Sequence, residues 1–413
     1  MSSIKVEEID KIELSHKDWW QPKIDKKVYK QLCQRSDAKA WFHTILYFGV
    51  LFITGLIAIY SWGTWYAIPA FILYGSVYAC SNARWHEYGH RTVFKSRKLN
   101  DFFYYISSFI AFFEPISWRW SHANHHSKTR YLDLDIEIAD PRPTNLRILF
   151  FTEFFGYYRV KAELQKIFKH SLRIFTSQNS FSDEEAKISV ADLVPDREKN
   201  KMVWSSRIFV GIIFLTIALS IILQSFLPLL LIITPQIYGG PLLWILAFPQ
   251  HAAMKFDSHD HRETTRTVIL GPILGTFFYA NMQYHIEHHS CPQIPFYNLP
   301  KFHELIKDQL PEPNKGLVDV NSGNLGSLIS AKTFDFRKIS LKISEFLSEA
   351  ISRPAEPSIK SNIILGNFRF ALALASSKLI MLLEPNIIIF LCQMQGTCIF
   401  MSQITIFIQF PQP

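Results

Sequence analysis

Two long stretches of this chain carry no Lys, Arg, Asp or Glu: Trp41–Ala83 and Ile208–Met254. Each is more than forty residues long, and one helical crossing of a bilayer takes about 20. Each stretch therefore has room for two crossings with a tight turn between them. The pattern predicts spans at about 42–61 and 65–83, joined by SWGTW, whose aromatics suit the interface. It predicts a second pair at about 207–226 and 229–249. The competing reading is two pairs of buried helices in a soluble protein, but charge-free runs of this length are rare there. The block DFFYYISSFIAFFEPISW (101–118) is apolar but short, and Glu114-Pro115 breaks it. It reads as an interfacial or re-entrant helix.

The remaining residues are polar. Residues 1–40 form a polar segment without the apolar core of a signal peptide. Residues 119–206 are rich in Lys and Arg and include the surface excursion SQNSFSDEEAKISVADLVPDREKNK. Residues 316–413 form a tail with a candidate late apolar helix at about 386–410. Two crossings precede WHEYGHR, so that stretch shares a side with the N-terminus. Two more return the chain to the same side, and the basic excursion assigns that side to the cytosol. The net charge of +8 is spread between the apolar blocks, not gathered on one arm. It lacks the aromatic interleaving of a nucleic-acid binder, so no nucleic-acid partner is expected. Cys33, Cys80, Cys291, Cys392 and Cys398 form no CxxC pair, which favours a reducing compartment.

The fifteen histidines are clustered. WHEYGHR places His86 and His90 at i and i+4. SHANHHS places His122, His125 and His126 at i, i+3 and i+4, and QYHIEHHS repeats this spacing with His285, His288 and His289. On a helix these positions share one face. All three clusters fall on the cytosolic side next to a span end, and so does His251 in FPQHAAM. Eight or nine imidazoles exceed the four ligands of a zinc site and call for two metals. Imidazole suits iron, copper, zinc and nickel. The predicted fold is thus an all-α integral membrane protein. Four transmembrane helices form two hairpins, and a cytosolic helical cap holds a histidine-rich di-metal site. HExxH within WHEYGHR also matches a zinc protease with Glu87 as general base, but that reading leaves two clusters without a task. A metal transporter would need ionisable residues inside the spans, and the charge-free blocks supply none.

HEYGH, HANHH and HIEHH, in this order around two hairpins, resemble the three histidine boxes of the membrane fatty acid desaturase and hydroxylase superfamily. The continuation SCPQIPFYNLPKFHELI is similar to that of the family, and the resemblance covers about residues 41–315. It implies that His86, His90, His122, His125, His126, His285, His288 and His289 are iron ligands, with His251 as the extra histidine before box three. It further implies two iron ions using O2 to attack an unactivated C–H bond of a lipid acyl chain. Desaturation is the first expectation and hydroxylation of an acyl chain or alkane the second. No HPGG occurs, so a separate electron donor is expected, such as cytochrome b5 or ferredoxin with its reductase. Box three begins with His285, not the Gln of front-end desaturases. In a eukaryote the membrane would be that of the endoplasmic reticulum. Ligand imidazoles need their second nitrogen tied down, and Asp133, Asp135, Asp257, Asp260 and Glu287 are candidates. In DSHDHRETTRT (257–267), His261 or Asp260 is expected beside the metals, with Arg262 or Arg266 holding a carboxylate or head group. His43, His170 and His303 are expected to be structural.

Overall fold

The computed structural model of the protein describes residues 19–131, 134–138, 154–175 and 189–317. Asp133 and the tail with its candidate late helix lie outside the described residues. The first apolar block forms α2 (Asp37–Ser61), preceded by the short α1 (Lys26–Leu32), whose N-cap is Asp25. The block continues as α3 (Ala67–Ala79) and passes through Cys80 into α4 (Ser81–Gly89), which carries the first histidine pair. Polar side chains then begin α5 (Arg97–Ala111), which exposes Phe102 and Tyr105. The chain breaks where Glu114-Pro115 foretold: Phe112 adopts a left-handed conformation and α6 (Pro115–Ser127) starts anew. After α7 (Tyr157–Ser171) comes α8 (Asp196–Ile222), the longest described helix.

Two of these helices, α2 and α8, are long and apolar enough to cross a membrane. In their most apolar windows only 28% and 22% of residues are buried, and Phe52 and Leu215 remain 67% and 69% exposed. A helix in a soluble core would be mostly buried. An apolar surface this extensive fits lipid and not water.

The segment expected as one span at 229–249 is instead three short helices: α9 (Leu227–Ile232), α10 (Pro235–Tyr238) and α11 (Gly240–Ala247). Proline is the reason. Pro235 has no N–H to offer the carbonyl four residues back, and the Tyr74 hydroxyl donates to that carbonyl, Leu231 O, at 2.7 Å. Tyr78 donates likewise to Ile232 O at 2.8 Å. Side chains of α3 thus satisfy the backbone groups that the broken helix frees, as an apolar surrounding demands. The two segments touch at glycines. A Cβ on Gly239 would sit 1.8 Å from Gly75 O, and one on Gly75 would sit 2.1 Å from the Tyr238 ring.

Polar contacts assemble the cap. Asp101 of α5 accepts from Arg91 at 2.7 Å and from Arg119 of α6 at 2.9 Å. The Glu114 carboxylate caps α6 through the N–H groups of Ile116 and Ser117, and it also accepts from Ser205 of α8. One fully buried carboxylate therefore both starts the second histidine helix and docks it on α8. Beyond α11, the short α12 (His261–Thr264) and α13 (His285–Ser290) follow, and then α14 (Leu299–Ile306). A two-residue parallel pair, β1 (Val268–Ile269) with β2 (Asn314–Lys315), ties this region together.

Candidate metal centre

The three histidine helices α4, α6 and α13 aim their imidazoles at one place, and His251 joins them from the turn after α11. The nine rings sort into two groups, each able to hold a metal ion. His86, His90, His122, His126 and His288 form the first; His125, His251, His285 and His289 form the second. Within a group the facing nitrogens lie within 4.8 Å of one another. The i, i+3, i+4 spacing explains the sorting. His122 and His126 lie one above the other on α6 and face one group, while His125 is rotated towards the other. On α13, His285 and His289 pair in the same way, and His288 crosses to the first group.

Protons decide which nitrogens face inward, and the hydrogen-bond partners assign them. His122 Nδ1 donates to Glu137 at 3.0 Å and His125 Nδ1 to Asp135 at 2.9 Å. His251 Nδ1 donates to the Thr264 carbonyl at 2.9 Å. Thr129 spends its own proton on His125 O, so its oxygen accepts from His289 Nδ1 at 3.2 Å. In these four rings Nε2 carries a lone pair. Those lone pairs meet other Nε2 atoms: His122 faces His90 at 3.0 Å and His126 at 3.1 Å, and His251 faces His285 at 2.9 Å. Lone pairs crowded together in a buried place fit a cation between them. The donor set is imidazole throughout, with no thiolate or carboxylate in either group, which suits a borderline transition metal.

Electrostatics agree. Burial, reinforced by neighbouring imidazoles, pushes His86, His90, His126, His285, His288 and His289 well below the ordinary histidine value, and burial does the same to His251. They stay neutral, the form that binds metal. His125 behaves differently. Burial opposes its charge, but Asp135 and Glu137 outweigh burial and hold its pKa above the ordinary value.

Of the acids expected to orient ligands, Asp135 does so. Glu287 is fully buried in α13 but turns away, accepting from Thr267 at 2.6 Å and pairing with His303. His303 is accordingly a structural group that anchors α14 to the third histidine helix. Asp260 caps α12 and pairs with Arg262 at 2.6 Å, so the carboxylate that Arg262 holds belongs to its own chain. Arg266 donates to Ala252 O, and the Asp257 N–H donates to Arg130 O at 3.4 Å. His261 is buried, with its ring 5.2 Å from that of His289. His43 packs edge-on against Phe296, and His170 lies buried at the end of α7.

Sequence reasoning missed Glu137, Thr129 and the Thr264 carbonyl. Glu137 stands two residues after Asp135, a signal that was available; a backbone carbonyl leaves none. Glu87 of HExxH is fully buried with its carboxylate 3.7 Å from His288 Nδ1. It lies on the Nδ1 side of His288, whose Nε2 faces His86 and His126, so it is turned away from the clustered nitrogens where a protease base would be needed.

Beside both groups lies a cavity of about 330 Å³. His86, His125, His251 and His285 form one part of its wall, and Trp85, Phe113, Trp118, Leu243, Trp244, Phe248, Tyr279 and Met282 supply an apolar part. Arg130, Arg159, Glu163 and Lys166 add a charged part to the same wall.

An α-helical chain with lipid-compatible helices and nine converging histidines beside a cavity has the form of a membrane protein able to bind metal. The chain belongs to the fatty acid desaturase family, whose model matches residues 62–320, more than half of its length. It is 28% identical over 113 residues to an sn-1 oleoyl-lipid 12-desaturase of a Synechocystis species, covering 27% of this chain and 32% of that protein. It is 24% identical over 250 residues to an acyl-lipid (9+3)-(E)-desaturase of Dimorphotheca sinuata, covering 55% of this chain and 63% of that protein. The alignments thus span less than two thirds of either relative.

Proposed function

We propose that this protein is a membrane di-iron oxidoreductase that desaturates a fatty acyl chain with O2. The observation that carries the reading is the division of nine imidazoles into two metal-sized groups that share one cavity with a largely aromatic side. Family membership and two curated relatives named as desaturases support iron and desaturation over hydroxylation. In this reading His86, His90, His122, His126 and His288 hold one iron, and His125, His251, His285 and His289 hold the other. When bound, the irons supply the means to reduce O2 and to oxidise an unactivated C–H bond. Balance requires O2 to become two waters, with two hydrogens taken from the chain and two electrons and two protons from outside.

The protein's own part is orientation and exclusion. Asp135, Glu137, Thr129 and the Thr264 carbonyl hold Nδ1 protons, which keeps the Nε2 lone pairs on the metals. The aromatic wall keeps the reacting carbons dry and lays them along His86 and His285. The segments 65–83 and 229–249 complete two membrane hairpins with α2 and α8, and they set the centre on the cytosolic face. Electrons come from a separate carrier such as cytochrome b5 or ferredoxin with its reductase.

Expression in a host of simple lipid content, followed by mass spectrometry of its fatty acids, tests the reaction. A new double bond that disappears with His288→Ala supports the proposal. A new hydroxyl would move the assignment to hydroxylase, and an unchanged lipid profile from iron-loaded protein would remove the acyl chain as substrate.

A further inference from the structure

Around the second metal group one aromatic contact has no place in the chemistry described above. Trp19, only 3% exposed, stacks flat on His261, with ring centroids 4.2 Å apart and planes 10° from parallel. His261 is itself 3% exposed and lies 5.2 Å from His289, centroid to centroid. On the outer side, Trp20 is half-buried, with the Arg262 guanidinium 4.3 Å above its ring. The Trp20 N–H donates to His259 O at 2.9 Å, which fixes the tryptophan pair against the loop that carries His261. Arg262 also donates to Gln309 O at 3.2 Å, and Gln309 in turn bonds the backbone of Lys23 at 2.7 and 2.8 Å. The patch is therefore built by three separated parts of the chain.

A tryptophan stacked on a histidine that touches a metal-group histidine is a continuous π path from near the surface to the site. The other indoles near the centre, Trp85, Trp118 and Trp244, line the cavity and belong to the substrate side. Neither Trp19 nor His261 lines the cavity.

We propose that Trp19 and His261 form the electron inlet of this protein, passing single electrons from a surface-docked one-electron carrier to the metal held by His125, His251, His285 and His289. The proposal rests on the di-iron reading above. In each transfer the reduced metal of the carrier loses one electron and one ferric ion becomes ferrous, with no bond made or broken at Trp19 or His261. Two transfers supply the two external electrons that each O2 requires beside the two taken from the acyl chain.

The test is donor-independent. A photoreducible ruthenium complex is attached to a Lys23→Cys variant of the full chain, with Cys33, Cys392 and Cys398 changed to Ser. Reduction of the ferric centre is followed after a flash, alongside iron content and the rate of reduction by dithionite. The expected result is a fast intramolecular phase that Trp19→Leu and His261→Leu abolish and Trp19→Phe slows, while dithionite reduction keeps its rate. A fast phase unchanged in iron-replete Trp19→Leu overturns the inlet. Should Trp19→Leu lose its iron, Trp19→Phe decides: a wild-type rate there overturns the proposal, and a slowed one supports it. Failure of the unsubstituted protein to hold iron or to respond to dithionite would instead strike the di-iron reading itself.

Discussion

Asp135→Asn is a one-atom change with a calculable consequence. Asp135 Oδ2 accepts from His125 Nδ1 at 2.9 Å and from Arg130 N at 2.8 Å, and Oδ1 accepts from Glu137 N at 3.2 Å. All three partners are donors, and the side chain of Asp135 is 1% exposed. Asparagine brings one oxygen and one NH2, so either orientation sets an N–H against an N–H. In the better orientation the bond to Glu137 N is lost, together with the carboxylate charge behind His125. A hydrogen bond to a charged group contributes about 1.5–3 kcal/mol. Loss of such an orienting partner typically costs about 10–100-fold in metal affinity, or about 1.4–2.8 kcal/mol at 1.4 kcal/mol per tenfold. The two estimates overlap. Iron retention is measured by elemental analysis across a chelator series. Asp135→Asn should release one of two ions at roughly 10–100-fold less chelator, and the other ion should follow the wild-type curve. Wild-type retention of both ions, or their joint loss from a folded variant, would refute the division of labour. Glu137→Gln should mirror the effect on the ion held through His122.

Four further outcomes follow from the structure. His251→Ala leaves three imidazoles in its group and His90→Ala leaves four in the other, so His251→Ala should lose more iron on gel filtration; equal loss would count against the grouping. Ala247 lines the cavity, and Ala247→Trp should shift products towards shorter chains at unchanged iron content, read by mass spectrometry of the host lipids. Gly239→Ala drives a methyl to within 1.8 Å of Gly75 O and should destabilise the α3–α10 contact by at least the roughly 1–3 kcal/mol of an overpacked core, seen as a lower thermal midpoint in detergent. His170 lies outside the metal groups, and burial, aided by Lys166, pushes its pKa from 6.5 down to about 4. The unfolded chain protonates first, so stability should fall as pH drops from 6.5 towards about 4, and His170→Gln should flatten that part of the profile.

The sequence showed most plainly what depends on periodicity. Charge-free runs marked most of Asp37–Ser61 and the second half of Asp196–Ile222, whose first turns carry Asp196, Arg197, Glu198, Lys199 and Lys201; helical spacing grouped the histidines of each box, and the parity of the apolar blocks joined the boxes and His251 across two hundred residues. What it concealed depends on tertiary contact. The second apolar block looks like a span by length, yet Pro235 and Pro241 break it. The hydroxyls of Tyr74 and Tyr78, more than 150 residues away, help to make the break tolerable, with the local Tyr238 hydroxyl on Leu230 O. Asp135 and Glu287 were both candidates as local carboxylates next to histidine boxes. The fold separates them, because Glu287 points to the opposite face of α13, where His303 and Thr267 wait.

The same logic explains why short helices carry most of these histidines. A loop could deliver nine donors, but each would need its own restraint. Here α4, α6 and α13 fix the imidazole pairs His86/His90, His122/His126 and His285/His289 by helical spacing, so one capped helix positions two or three rings at once. The Glu114 carboxylate is bonded both to the start of α6 and to Ser205 of α8, so it sets the second cluster against the long apolar helix. The histidine cluster is thereby registered to the membrane-facing scaffold, the arrangement needed if an acyl chain is to meet both ions at a fixed depth.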